Sequence, residues 1–368
     1  MMKTDLTDII IFLAIITISG FGCNKSASDA SCGVPVDLHS TQSVVNLYSN
    51  LIKYSDTIIL YGHQDDNITG VNWSMQTGRS DIRESSGAYP GVFGFDITQG
   101  NADKNINGIS FSYISKSIKS AYDCGALITV NWKPADSSSF EEYLPGGVKN
   151  DIYVEQLKKA ADFISELKTD KGDLIPVIFR PLNCMNIDFS LREKYSTLWK
   201  YTVKQMRDVF EVHNILYVFC PQGKIWPGDE YVDIVGLEFY FHGSDTMQYA
   251  RDLALQLDTL VQCAKAKKKP AVLAETGLKN LSMATWHTNT LLPALEQYGN
   301  RYISYFLIWR NSSEDNFYAP YSGHKSTSDL RTFTRVTRIK FSDSLPDMYG
   351  PVKENNTKQS KINEGTDL

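Results

Sequence analysis

The strongest constraint on the fold of this chain is a repeating alternation. Eight short apolar runs recur along it, at Thr57–Tyr61, Gly91–Asp96, Ala126–Trp132, Ile175–Arg180, Ile215–Cys220, Asp233–Phe239, Pro270–Glu275 and Ile303–Trp309. Rich in Val, Ile, Leu, Phe and Tyr, they have the length and near-continuous hydrophobicity of parallel strands buried on both faces. Stretches with helical spacing lie between them. Val154, Leu157, Ala161 and Ile164 share one helical face. Tyr195, Leu198, Trp199, Thr202, Met206 and Val209 share another, and Leu253, Leu257, Leu260, Val261 and Ala264 a third. Strands alternating with helices predict an α/β fold, the closed (β/α)8 or TIM barrel, which takes ~200–250 residues or more as a single domain. The expected domain covers residues 39–342 of the 368. No Gly-x-Gly-x-x-Gly follows the first run, so the dinucleotide fold lacks its fingerprint, and no cofactor is expected.

The flanks read differently. Lys3 stands in a short polar start, and Ile9 to Ile18 is apolar apart from Thr17, too short to span a bilayer. Gly20-Phe21-Gly22-Cys23 follows. Small residues before a Cys at this point resemble the bacterial lipoprotein box, in which the Cys is lipidated and becomes the new N-terminus. Residues 1–23 are therefore expected to be a lipoprotein signal, with Cys23 anchoring the chain to the membrane of the bacterial cell envelope, at the outer membrane or cell surface. Residues 24–38 begin with the small polar stretch NKSASDASC and read as a tether. Residues 343–368 lack any apolar period and are expected to be a disordered tail.

A formal charge of −5 argues against a nucleic-acid partner. The lysines of Lys265-Ala266-Lys267-Lys268-Lys269 close a predicted helix, where cations complement its dipole. Beyond Cys23 the cysteines are Cys32, Cys124, Cys184, Cys220 and Cys263, an odd set with no Cys-x-x-Cys pair. Neither a disulfide framework nor a zinc site is expected, and the scattered His residues form no His-Glu-x-x-His. The 20 Tyr, 17 Phe and 6 Trp suit sugar stacking and ordinary cores alike. A monomer is expected.

In such barrels the chemistry sits at the C-terminal ends of the strands. Here those ends read Tyr61-Gly62-His63-Gln64-Asp65-Asp66, Phe95-Asp96, Asn131-Trp132-Lys133, Arg180-Pro181-Leu182-Asn183-Cys184-Met185-Asn186, Glu238-Phe239-Tyr240, Glu275-Thr276-Gly277 and Trp309-Arg310-Asn311. Glu275 is the sharpest of these residues. It follows Ala271-Val272-Leu273-Ala274 and stands at the barrel mouth, with Tyr240 expected in reach. A retaining glycosidase needs one carboxylate to attack the anomeric carbon and a second, ~5–5.5 Å away, to protonate the leaving oxygen. Glu275 suits the nucleophile; the competing reading is a rim residue paired with a cation such as Arg180.

Tyr61-Gly62-His63-Gln64-Asp65, Trp73, Ser80-Asp81-Ile82, Tyr89-Pro90-Gly91-Val92-Phe93-Gly94-Phe95-Asp96, Phe179-Arg180-Pro181, Met185-Asn186, Pro227-Gly228-Asp229-Glu230-Tyr231-Val232-Asp233, Glu275-Thr276-Gly277 and Trp309-Arg310-Asn311 together resemble glycoside hydrolase family 26, the β-mannanase family. The resemblance runs in order from about residue 40 to 335. It implies an acid/base after strand four and a nucleophile, Glu275, after strand seven. Tyr240 would hydrogen-bond the nucleophile. Arg180, Trp309 and His63 would lie around the sugar at the cleavage point, with Trp132 and Asn183 also among the substrate contacts.

One segment departs from the family. Its pattern after strand four is Arg-Pro-aromatic-His-Glu-Met-Asn-Gly and then a Trp-rich run. This chain has Arg180-Pro181-Leu182-Asn183-Cys184-Met185-Asn186-Ile187-Asp188. Asn183 replaces the His, Cys184 replaces the acid/base Glu, and the Trp run is gone. Lys133 stands where the family has His after Trp132. A thiol of pKa about 8.5 donates its proton poorly beside a carboxyl tuned to ~6. Two readings follow: a hydrolase of β-mannan or a related β-glycan with impaired turnover, or a catalytically disabled barrel that binds such a polysaccharide or oligosaccharide. Asp188 and Glu238 are further carboxylates near the rim, Asp188 as a stand-in acid and Glu238 as a cap or ion-pair residue.

Overall fold

The computed structural model describes residues 33–136, 140–182, 192–221, 225–241, 245–296 and 302–352. The eight predicted runs become eight parallel strands: β1 (Ile59–Gln64), β2 (Val92–Asp96), β3 (Leu127–Trp132), β4 (Val177–Pro181), β5 (Ile215–Phe219), β6 (Ile234–Tyr240), β7 (Ala271–Gly277) and β8 (Tyr305–Ile308). Each pairs with the next in sequence, and β8 closes on β1 with Leu60 opposite Tyr305. The result is the (β/α)8 barrel. A short ninth strand, β9 (Ile339–Lys340), pairs with Ile59 and Leu60, just before β1 begins to pair with β2 at Gly62.

The side-chain period of two sorts each strand into an inner and an outer set. Leu60, Val92, Leu127, Ile178, Leu216, Val218, Ile234, Val272, Tyr305 and Leu307 fill the interior. The same cluster contains Val44, Leu47, Tyr48 and Leu51 from α1 (Gln42–Tyr54), which precedes β1 and plugs the barrel floor. Outward residues such as Ile128, Val130, Phe179 and Tyr217 pack on one group of helices, and Tyr61, Val235, Leu273 and Phe306 on another. Among these helices, α2 spans Asp81–Ser86, α3 Phe111–Asp123, α4 Asn150–Ser165, α5 Arg192–Lys204 and α6 Thr246–Lys267. The lysine-rich stretch closes α6, as expected.

Order extends past both expected domain ends. Val36 N–H donates to the Asp233 carboxylate at 2.7 Å, and His213 Nδ1 lies 2.8 Å from Asp37, so the end of the expected tether is tied down. Residues 343–352, expected in a disordered tail, lie against the floor. Met348 is buried in the α1 cluster, and Tyr349 OH donates to Ala126 O at 2.9 Å. Two adjacent side chains suffice here because buried Asn50 supplies the polar anchor, donating to Met348 O at 3.1 Å and Gly350 O at 2.9 Å. The rest of the expected tail, and residues 1–32, lie outside the described residues. Asn50→Ala should cost ~1–3 kcal/mol, the price of stranding buried carbonyls. A lowered urea midpoint with an unchanged slope is the expected outcome.

Candidate active site

The polar layer of the barrel sits above the apolar one. Along β1 to β6, alternation carries Gln64, Asp96, Asn131, Arg180, Glu238 and Tyr240 to the inner side at the C-terminal ends, in step with the inward apolar residues below them. Cys220, one residue past β5, belongs to the same interior cluster. Glu275 would not join them by alternation alone. Opposite β6, the partners run Leu237 to Leu273 and then Glu238 to Glu275. Opposite β8 they run Phe306 to Leu273 and then Ile308 to Thr276. Strand β7 thus carries one extra residue between Leu273 and Thr276, a β-bulge. Leu273 and Thr276 both face the helices, where Thr276 Oγ1 lies 2.7 Å from Tyr249 OH of α6. Ala274 and Glu275 between them both face inward. The bulge re-aims the carboxylate into the barrel.

Glu275 is fully buried, and Arg180 is 1% exposed. Arg180 Nη1 donates to Glu275 Oε1 at 2.7 Å, and Tyr240 OH donates to Oε2 at 2.8 Å. The guanidinium is itself held by acceptors from three other places: Nε by Thr129 Oγ1 at 3.0 Å, Nη1 also by Ala274 O at 3.3 Å, and Nη2 by Gln64 Oε1 at 3.2 Å. Gln64 Nε2 donates in turn to Asn131 Oδ1 and Asp65 Oδ1, both at 3.3 Å. Gly94 makes room for this amide, since a Cβ there would fall 2.1 Å from Gln64 Oε1. Such a carboxylate, hydrogen-bonded at both oxygens, is held in one orientation, as attack on an electrophilic carbon requires.

Beside it, the Cys220 thiol is hydrogen-bonded to Glu238, and burial, followed by that carboxylate, pushes the thiol well above its usual range. Cys220 therefore stands protonated. Gly236 leaves space for its sulfur, 2.7 Å from where a Cβ would be.

The other sequence-derived residues divide. Arg180, Tyr240 and Glu275 come together in one hydrogen-bonded group. Trp309 is half-buried one residue beyond β8, its backbone N–H donating to Thr276 O at 3.0 Å. His63 and Trp132 take the outward positions of β1 and β3. His63 is fully buried, with Nδ1 2.8 Å from Asp66 Oδ1. Trp132 is 1% exposed and packs edge-to-face on Tyr153 of α4. Asn183, Cys184 and Asp188 lie outside the described residues. Gln64 and Thr129, which lie outside the sequence-derived set, complete the Arg180 cradle. Their position two or four residues along from inward apolar residues is the signal for them.

Several motif residues hold loops. The Asp81 carboxylate accepts from Val71 N at 2.9 Å, Trp73 Nε1 at 2.7 Å and Asn311 Nδ2 at 2.8 Å, tying the loop after β1 to the one after β8.

A parallel eightfold barrel presenting a paired, buried carboxylate at the end of β7 has the architecture of the barrel glycoside hydrolases. Residues 36–328 match the model of glycosyl hydrolase family 26, and the chain belongs to that family. A mannan endo-1,4-β-mannosidase of Bifidobacterium adolescentis is 27% identical over 395 residues, covering 90% of this chain but 38% of that relative, so this chain spans well under half its length. One from Bacillus subtilis is 26% identical over 73% of this chain and 79% of its own. Among solved structures, a GH26 β-mannanase from Bacteroides ovatus has 31% identity and a TM-score of 0.79, covering 86% of this chain and 99% of its own. A GH26C protein from Muricauda sp. has 26% identity and a TM-score of 0.77, covering 86% and 96%.

Arg180→Leu should lower stability by ~3–5 kcal/mol, because it leaves the Glu275 charge buried without its cation. Adding Glu275→Gln should recover part of that loss. Chemical denaturation of both variants and the double variant checks the coupling.

Proposed function

We propose that this protein is a retaining β-glycan hydrolase of the mannanase type, with Glu275 as nucleophile and Cys184 at the acid/base position. The observation that carries the reading is the bulged, buried Glu275 held by Arg180 and Tyr240. Tyr240 and Arg180 stabilise the carboxylate before attack and would hold the departing carboxylate when the glycosyl bond is hydrolysed. The substrate follows from family membership and from relatives that carry the name mannan endo-1,4-β-mannosidase.

Cys184 rests on motif register alone. General acid–base help is typically worth ~10²–10⁴-fold, so a poorly donating thiol at that position leaves a slow catalyst for glycans with poor leaving groups. The glycan-binding alternative draws on the same substitution: a site that keeps its nucleophile side and loses its proton donor binds without efficient turnover.

A substrate whose leaving group needs no proton separates the two. A dinitrophenyl β-mannoside should release a burst of phenol as Glu275 is glycosylated, and azide should accelerate the following step. Cys184→Glu should raise hydrolysis of mannan by up to ~10²–10⁴-fold, and Glu275→Ala should abolish every activity. Binding of manno-oligosaccharides by calorimetry with no burst would favour the disabled barrel. Hydrolysis of mannan at ordinary enzyme rates, lost in Asp188→Asn and kept in Cys184→Ser, would reassign the acid to Asp188.

The proposed location is the cell envelope, through lipidation of Cys23, supported by the short apolar stretch and the small residues before it. Radiolabelled palmitate should enter the wild type in a bacterial host and not Cys23→Ala.

A further inference from the structure

The site contains a buried carboxylate that attack on a sugar does not itself require. Asp65 follows β1 directly, is 2% exposed and has a left-handed backbone, φ 55°. The backbone is fixed on both sides. Its N–H donates to Gly94 O at 2.8 Å, and its carbonyl accepts from the N–H groups of Ile68 and Thr69, both at 2.9 Å. Its side chain meets Gln64 Nε2 through Oδ1 at 3.3 Å, and its Oδ2 faces Arg310 Nη1 at 3.6 Å.

A primary amide has one accepting end and one donating end. Arg180 only donates, so the Gln64 oxygen must face it. An ionised Asp65 only accepts, so it demands the Gln64 NH2 group. The two demands agree, Asn131 Oδ1 accepts from the same NH2 group at 3.3 Å, and together they fix one orientation of the amide. A protonated Asp65 can donate, and then imposes no orientation. The reversed amide would set NH2 against guanidinium, donor against donor, and Arg180 would lose the acceptor that braces it toward Glu275.

We propose that Asp65 is a positioning residue of this site: its carboxylate locks the Gln64 amide, which braces Arg180 and thereby aims Glu275. This rests on the reading of Glu275 as nucleophile. The groups facing Asp65 are Arg310 beyond β8, Asp96 at the end of β2 and His63 on β1. Burial first, then Asp96, pushes Asp65 up to about 6, with Arg310 and His63 pulling the other way. The sign follows. Attack is fastest where Asp65 is ionised and slows as pH falls through about 6.

The test uses the full chain and a 2-deoxy-2-fluoro-β-mannoside with a dinitrophenyl leaving group, which traps the glycosylated carboxylate for mass spectrometry without needing a general acid. Asp65→Asn keeps a side chain that tolerates the left-handed backbone. Its trapping rate should fall roughly tenfold above pH 7, with half-saturation little changed and the acid limb near pH 6 flattened. Trapping as fast as the wild type with the limb intact would overturn the proposal. If the wild type traps nothing, the nucleophile reading fails by itself. The crystal structure of Asp65→Asn then decides the positioning role: a displaced Gln64 amide supports it, and an unchanged Arg180–Gln64 contact overturns it.

Discussion

The ion pair between Arg180 and Glu275 is the interaction on which the upper half of the barrel depends. Both partners are almost completely withdrawn from water. A buried pair of charges loses hydration worth several kcal/mol per ion, and attraction offsets this only when the remaining donors and lone pairs are satisfied. Here that satisfaction is spread around the barrel. Thr129 comes from β3, Gln64 from β1, Ala274 from β7 and Tyr240 from β6. No two adjacent strands could supply it, so the charged centre presupposes closure of the sheet. The same closure places these groups in a low-dielectric interior layer, where fixed dipoles act more strongly than they would in water.

The sheet is modified in two ways to admit the pair. Strand β7 takes an extra residue, which turns Glu275 inward while Leu273 and Thr276 keep their outward contacts. The middle layer of the barrel is emptied at Gly94 and Gly236, whose missing side chains leave room for Gln64 and Cys220. Both changes subtract from packing. Gly in a strand loses side-chain contacts and a bulge loses ladder bonds, and both occur where another group approaches closely. The polar layer is thus built into space that an apolar barrel would have filled.

These features explain which parts of the molecule can be read from sequence. The strands and helices are visible because burial on both faces leaves uninterrupted apolar runs. Glu275, Arg180 and Tyr240 are visible as polar residues at the ends of such runs, and the first two fit the family motifs. Facing direction is harder. His63 and Trp132 stand at strand ends too, but the pleat sends them outward into the helical layer, and Gln64 and Asn131 take the inner places. The bulge is invisible in the string Ala271-Val272-Leu273-Ala274-Glu275, where simple alternation would have sent Glu275 outward. The stretch around Met348 is not legible in the sequence because a two-residue apolar anchor gives no period, and its hold depends on Asn50, nearly 300 residues away in sequence.

The energetics also bear on how much an intact nucleophile side says about turnover. Removing Glu275 or Arg180 alone would leave the other charge in the barrel interior without its counter-ion, so the pair is bound to the fold as well as to any chemistry. Its presence is compatible with catalysis and with binding alike. Asp65 is different. Its carboxyl is pushed up to about 6 by burial, so keeping it ionised at neutral pH costs stability, and the Arg310 contact at 3.6 Å offsets only part of that cost. An uncharged side chain at this turn would serve a binding groove at lower cost. In the role proposed for it, Asp65 would offset that cost in a site where the aim of Glu275 matters, a demand made by bond formation more than by sugar binding.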